Sequence, residues 1–234
     1  YASTQGDILT RSKDPKARAN ANEVLSLLTP IIKAFLTETG FESANLGMQC
    51  FGGHGYISEW GVEQNVRDAR IAMLYEGTTG IQALDLLGRK VLGTRGKALD
   101  PVTGFILEFC KHARRRKEIK PYIKQLVRLT RQWRSLTRKI GFAAMKNRDA
   151  VGAASVDYIM FSGYLLLGVA WAASAQAAYR RLEQGTKEEA FYRSKIQTAE
   201  FYFAKILPRT TSRLQTMLAG PETLMTIDEE HLVF

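Results

Sequence analysis

Two short stretches combine residue types that do chemistry. Gln49-Cys50-Phe51-Gly52-Gly53-His54-Gly55-Tyr56 places three glycines in four positions. A glycine-rich turn exposes backbone N–H groups and lets a phosphate approach where a side chain would hold it off. The stretch is not a Rossmann-type dinucleotide fingerprint, since no strand precedes it, and it lacks the Gly-Lys-Ser/Thr ending of a P-loop. A helix C-terminal turn is the alternative reading of the same residues. The second stretch, Tyr75-Glu76-Gly77-Thr78-Thr79-Gly80, sets a single carboxylate on a glycine-containing turn between two apolar segments. Such a turn can present a general base to a cleft. An acid stabilising the start of the next helix through its macrodipole is the competing reading. The remaining candidates are dispersed. His54, His112 and His231 are scattered along the chain, so no metal site is expected. Cys50 has no adjacent base and is expected in a small, buried, apolar role.

The elements that must position these stretches read as helices. Leu25, Leu28, Ile31 or Ile32, and Phe35 recur at three- and four-residue spacing over 21–39, with Pro30 implying a kink. Gly40 is expected to break or bend the chain before the segment that reaches the glycine cluster. A further segment covers 62–74. A helix then covers 81–92, with Ile81, Leu84, Asp85, Gly88 and Val91 on one side and Thr78 or Thr79 as its cap. Arg67 and Asp68 are expected to hold helix ends together. The stretch 93–101, with two glycines and a proline, is the best domain boundary. Beyond it Ile119, Tyr122 or Ile123, Leu126, Leu129, Trp133, Leu136 and Ile140 form one helical stripe. Long helices over 150–182 and 187–218 follow, joined by a turn at 183–186, with Pro208 bending the second. The expected fold is all-α: a helical bundle over 1–95 followed by a second helical domain over 96–234.

Charge divides the chain at the same place. The 234 residues carry a net charge of +10, with 45% apolar and 24% charged residues, which excludes disorder as the main description. Residues 1–95 hold ten Lys/Arg and ten Asp/Glu, so the whole excess lies in 96–234. That excess permits binding to nucleic acid, an anionic membrane or acidic small molecules. The densest run, 111–117, lacks an aromatic residue for stacking and is assigned to one helix as a solvated face or subunit contact. The apolar stretch 151–178 is interrupted by Asp157 and is expected to be a core helix rather than a membrane span. Two cysteines make no disulfide framework, and the polar N-terminus resembles no signal peptide, so a reducing, cytoplasmic setting is expected. The absence of an initiator Met is expected of a fragment.

Taken in order, Gln49-x-x-Gly52-Gly53-x-Gly55, Arg67-Asp68-Ala69 and Tyr75-Glu76-Gly77-Thr78 resemble the C-terminal helical domain of flavin-dependent acyl-CoA dehydrogenases. The resemblance covers about residues 20–92. The run 77–90 and the basic extension after it are similar to a subgroup with an additional C-terminal helical domain.

The resemblance implies an oxidoreductase of fatty acid metabolism that desaturates an acyl-CoA thioester to a 2,3-enoyl-CoA. It implies Glu76 as the catalytic base, with the residue's own N–H binding the thioester oxygen. It further implies Gln49, Gly52 and Gly53 against the adenosine diphosphate part of FAD held mainly by a neighbouring subunit. Thr78 and Gly80 then contact the flavin, and Tyr75 and Gly77 line the acyl-CoA site. Many family members carry Gln where this chain has Gly80, which leaves only a backbone contact there. The implied partners are an acyl-CoA, an electron-transfer flavoprotein and further copies of the chain in a homodimer or larger homo-oligomer, with no nucleic acid. A fragment without the family's other domains is expected to bind FAD weakly and to be inactive. The rival readings are an acyl-CoA oxidase-like or nonenzymatic relative, and a basic helical binding module.

Overall fold

The computed structural model describes residues 1–232, which contain helices and turns and no strand. Helix α1 (Ala2–Arg11) leads through Asp14 into α2 (Pro15–Cys50). The Asp14 carboxylate accepts the Lys16 N–H at 2.9 Å, and Pro15 opens the helix where a missing N–H costs nothing. The expected break at Gly40 does not occur. Glycine in a helix interior costs only ~1 kcal/mol against Ala, and α2 outweighs this by burying Val24, Leu27, Leu28, Ile31 and Phe35. The helix stops instead at Cys50, two residues before Gly52 takes a left-handed φ of 57°.

Three short helices follow: α3 (Gly53–Tyr56), α4 (Val62–Ile71) and α5 (Thr79–Leu84). The last continues into a π-helical stretch, Asp85–Leu92. Ala83, Leu86, Leu87 and Val91 are buried, while Ile81 and Leu84, in α5 itself, point outward. Of the stripe expected over 81–92, only Val91 is buried.

Residues 93–99 form turns, with Leu99 buried, and lead into α6 (Asp100–Ala113), α7 (Lys120–Lys146) and α8 (Asp149–Glu183). The α7 stripe is observed as read: Ile119, Ile123, Leu126, Leu129, Trp133, Leu136 and Ile140 are all buried. The basic run 111–117 does not lie on one helix, because α6 ends at Ala113 and the chain turns before α7. After Gly185 (φ 76°) come α9 (Glu189–Phe201), a π-helical stretch Tyr202–Ile206, α10 (Arg209–Met217) and α11 (Glu222–Met225).

Helix α8 is the axis of the molecule. It is apolar around most of its circumference, as a helix surrounded by others must be, and it packs against α2, α5, α7, α9 and α10. By length and composition α2 and α8 would each suffice to cross a membrane; 67% of the most apolar window of α8 is buried by other helices. Its charged interruption, Asp157, pairs with Arg213 at 2.7 Å. At Gly163 the approach to α2 is so close that a Cβ would collide with the Phe35 ring. Buried side chains from Val24 to Met217 thereby form one continuous core.

A second link joins α2 to α10 at the surface. Arg209 donates to Glu42 at 2.7 Å and to the Tyr164 hydroxyl at 3.3 Å. The Arg209 hydrogen bond holds the Glu42 carboxyl below its ordinary range, against a smaller opposing effect of burial. A carboxylate whose folded pKa is depressed stabilises the fold above its unfolded pKa and loses that contribution as pH falls through the folded value. The pair is about 40% exposed on both sides, so its worth is on the order of 0–1 kcal/mol. Glu42→Gln should therefore lower the melting temperature slightly at pH 7, and the difference from the parent should shrink as pH falls through the lowered folded pKa of Glu42. Melting curves across that range check it.

Candidate functional site

The two sequence stretches lie against different parts of α2. The glycine cluster forms its C-terminal exit. Each glycine there has a distinct reason. Gly52 adopts φ 57°, ψ −141°, a conformation closed to side chains. Gly55 is buried, and a Cβ on it would strike the Met48 carbonyl oxygen. Gly53 has neither restriction. Around both Gly52 and Gly53 a Cβ would meet nothing within 4 Å, so a flat ligand group can lie against the backbone. Gln49, Gly52 and Gly53 are exposed, as a ligand-bearing turn requires. Cys50 is exposed too, contrary to its expected burial, because it sits on the solvent side of the last turn of α2. Cys110 is the buried thiol, and burial pushes its pKa up to about 11.

The second stretch is the loop from α4 to α5. Glu76 and Gly77 are consecutive left-handed residues, with φ of 48° and 92°. A non-glycine residue in this region costs on the order of 1–3 kcal/mol and persists only where its surroundings enforce it. The enforcing contacts come from α2. Lys33 donates its Nζ to the Ala72 carbonyl, and the same ammonium stands 4.6 Å from the centre of the Tyr75 ring. Beyond Gly77, the Thr79 hydroxyl donates to Glu38. Arg70, at the start of the loop, lies over Phe41 and reaches the Met73 sulfur at 3.4 Å. Glu76 is thus bracketed by two anchors one helical turn and a half apart.

The details revise two expectations. Thr78 occupies the N-cap position of α5, but its side chain makes no cap bond, and Thr79 spends its hydroxyl on Glu38. Asp68 accepts from Gln64 at 2.6 Å within α4, and Arg67 is exposed without a side-chain partner among the described residues, so neither ties helix ends together. A Cβ at Gly77 would be strained by its φ of 92° and would displace the Gln82 amide, whereas Gly80 has open space beside it. The backbone N–H of Glu76 is not taken by another backbone carbonyl among the described residues.

Tyr75, Glu76, Gly77, Thr78 and Gly80 are therefore brought together on one loop, while Gln49, Gly52 and Gly53 are not brought to it. Lys33 under the loop and Gln49 at the exit are separated by roughly 24 Å of helix at 1.5 Å per residue. The residues missed from the sequence are Lys33 and Glu38. Their signal is that they are the two charges inside an otherwise uncharged run from Ile31 to Phe41. Exposed apolar side chains concentrate on this same region: Phe51, Tyr56, Trp60, Leu74, Tyr75 and Ile81 are each about half exposed or more. A free surface of that kind marks a binding region.

The described residues form an all-helical unit with a strained Glu-Gly loop and a glycine turn at two places along α2, and comparison with known proteins gives its family. The acyl-CoA dehydrogenase C-terminal domain matches residues 15–92, and the acetyl-CoA dehydrogenase C-terminal-like domain matches 102–228. The chain belongs to the acyl-CoA dehydrogenase family and represents its C-terminal region. It is 34% identical over 215 residues to the 3-methylmercaptopropionyl-CoA dehydrogenase of Ruegeria pomeroyi, covering 90% of this chain and 36% of that protein. It is 30% identical over 217 residues to a broad-specificity linear acyl-CoA dehydrogenase of Mycobacterium tuberculosis, covering 89% and 36%. A butyryl-CoA dehydrogenase of Syntrophomonas wolfei is 25% identical over 234 residues, covering 96% and 37%. The chain thus spans a little over a third of the length of these relatives.

Proposed function

We propose that the protein carrying these residues is a flavin-dependent acyl-CoA dehydrogenase that converts an acyl-CoA to the 2,3-enoyl-CoA. The observation that carries the reading is the left-handed Glu76–Gly77 pair, a strained, exposed carboxylate held in place by Lys33 and Glu38 of α2. In this reading the Glu76 carboxylate takes the proton from the carbon alpha to the thioester. Its own uncommitted N–H donates to the thioester oxygen, stabilising the enolate-like charge that builds as the proton leaves. Gly77 lets the chain turn away directly after the base, and Tyr75, steadied by Lys33, walls the acyl side. FAD, when bound, supplies the acceptor for the beta hydride. The residues that would hold it are Gln49, Gly52 and Gly53 through the open face of the glycine turn, with Thr78 and the Gly80 backbone on the loop.

The offset of turn and loop along α2, roughly 17 Å from Glu38 and roughly 24 Å from Lys33 to Gln49 at 1.5 Å per residue, supports a site completed by a second copy of the chain, each copy lending its glycine turn to the other's loop. The division at 95/96, an electron-transfer flavoprotein as acceptor and a cytoplasmic setting belong to the same reading. The test uses the full-length protein with saturated acyl-CoAs of graded length and an artificial electron acceptor under nitrogen. Enoyl-CoA formation, with little hydrogen peroxide when air replaces the acceptor, is the expected result. Peroxide formed at the same rate would make the protein an oxidase, and the absence of enoyl-CoA with every chain length would defeat the proposal.

A further inference from the structure

Outside the Glu76 loop and the glycine turn, the strongest concentration of chemistry is where α6 turns into α7 beside the end of α8. Six Lys/Arg against two Glu lie between residues 108 and 120, and three against one between 180 and 187, which together hold more than half of the net charge. The side chains frame an open cleft of about 470 Å³. Its guanidinium at Arg116 is fixed: two 2.6 Å hydrogen bonds run to the Glu183 carboxylate, Glu118 stands at 3.9 Å, and the Tyr179 ring lies 5.6 Å away. The two acids of the cleft are thereby used up on one arginine. His112, on the rim, is engaged by Glu108 at 2.7 Å. Arg115, Lys117 and Arg180 line the same cleft, are exposed, and have no carboxylate partner among the described residues.

Part of this positive charge answers the helices themselves. Both α6 and α8 end here, and each C-terminus carries about half a negative charge. Two ends amount to about one negative charge against three unpaired cations. With Glu118 and Glu183 set against Arg116, an excess of about one positive charge is left, carried by the three unpaired cations around a concave surface. Three unpaired donors on separate segments match an anion that offers several oxygens, since guanidinium groups bind phosphate oxygens through paired N–H donors.

We propose that this cleft binds a pyrophosphate unit, free or as part of a nucleotide, through Arg115, Lys117 and Arg180, with the pinned Arg116 as its fixed wall. All the lining residues come from beyond residue 96, so the site is independent of the Glu76 loop. Calorimetric titration of the full-length protein with sodium pyrophosphate and with ADP, at low and at physiological salt, tests it. Saturable binding that weakens as salt rises is expected. Lys117→Ala combined with Arg180→Ala should weaken it roughly tenfold or more, as loss of two charge-assisted contacts implies. These two side chains are exposed and unpaired, so circular dichroism of the double variant should be unchanged. Binding of pyrophosphate alone would identify the free ion as the ligand, and binding of both would identify the unit within a nucleotide. No saturation by either, or equal binding by the double variant, would overturn the proposal. So would binding of duplex DNA or anionic vesicles that pyrophosphate fails to displace, which would make the patch a macromolecular surface.

Discussion

Replacing Glu76 by Gln in the full-length protein is expected to lower turnover by about 10²–10⁴-fold, the usual contribution of a positioned general base. That loss corresponds to roughly 3–5.5 kcal/mol of barrier. The substitution keeps side-chain length and hydrogen-bonding capacity and removes only the ability to accept a proton. It also leaves the local backbone unchanged, because Gln pays the same left-handed cost as Glu at φ 48°. Flavin content and acyl-CoA binding should therefore stay near the parent values, since the anchors Lys33–Ala72 and Glu38–Thr79 do not involve the carboxylate. Single-turnover flavin reduction together with the visible spectrum of the purified variant makes the measurement. Near-normal flavin reduction would remove Glu76 from the role, and loss of bound flavin would show that the residue acts on binding.

The second large effect concerns the packing of α2 on α8. Gly163→Ala should destabilise the protein by about 1–3 kcal/mol, the ordinary range for forcing an extra carbon into a filled interior. Ala favours helix over Gly by ~1 kcal/mol, which opposes the effect. The collision prevails because the obstacle is the Phe35 ring, itself 3% exposed and held edge-on by Tyr164 at 5.0 Å, with nowhere to swing. Gly152 lies on the same helix in open space. Gly152→Ala should accordingly show the propensity gain alone, with the opposite sign. Phe35→Leu added to Gly163→Ala should recover part of the loss, a coupling expected only of residues in contact. Denaturant unfolding of the four proteins decides it. A stabilising Gly163→Ala would mean that α2 and α8 are not in this contact.

Much of the architecture is legible because long helices repeat the same signal many times. The α7 stripe from Ile119 to Ile140 spans six turns, and each turn reinforces the same face. Errors fall where one residue was asked to decide. Gly40 looked like a stop, yet glycine lowers helix stability without forbidding it, and burial elsewhere on α2 dominates. Over 81–92 two sets of apolar residues, Ile81 with Leu84 and Ala83 with Leu87, each fit one side of a helix, and only packing decides that the second faces the core. Helix α6 carries Val102, Ile106, Cys110 and Ala113 at helical spacing, but Pro101 and the basic run on either side obscure it. In the candidate site, the motif residues are visible in one dimension, whereas the charges that hold the Glu76 loop lie about forty positions upstream. Nothing local links Lys33 to Ala72 or Glu38 to Thr79; only packing α2 across the loop does so.

That arrangement sets how the loop can move. Helix α4, ten residues, and α5 with its π-helical continuation, fourteen, are its immediate neighbours in sequence, and both are at or below the length at which a helix is stable alone. A loop hung between them would fluctuate with their fraying ends. Lys33 and Glu38 instead tie both sides of Glu76 to the interior of a 36-residue helix whose apolar face is sealed in the core. The carboxylate thus inherits the stiffness of the most deeply anchored part of this half of the molecule, and its thermal excursions are governed by the opening of α2 rather than by the helices it joins.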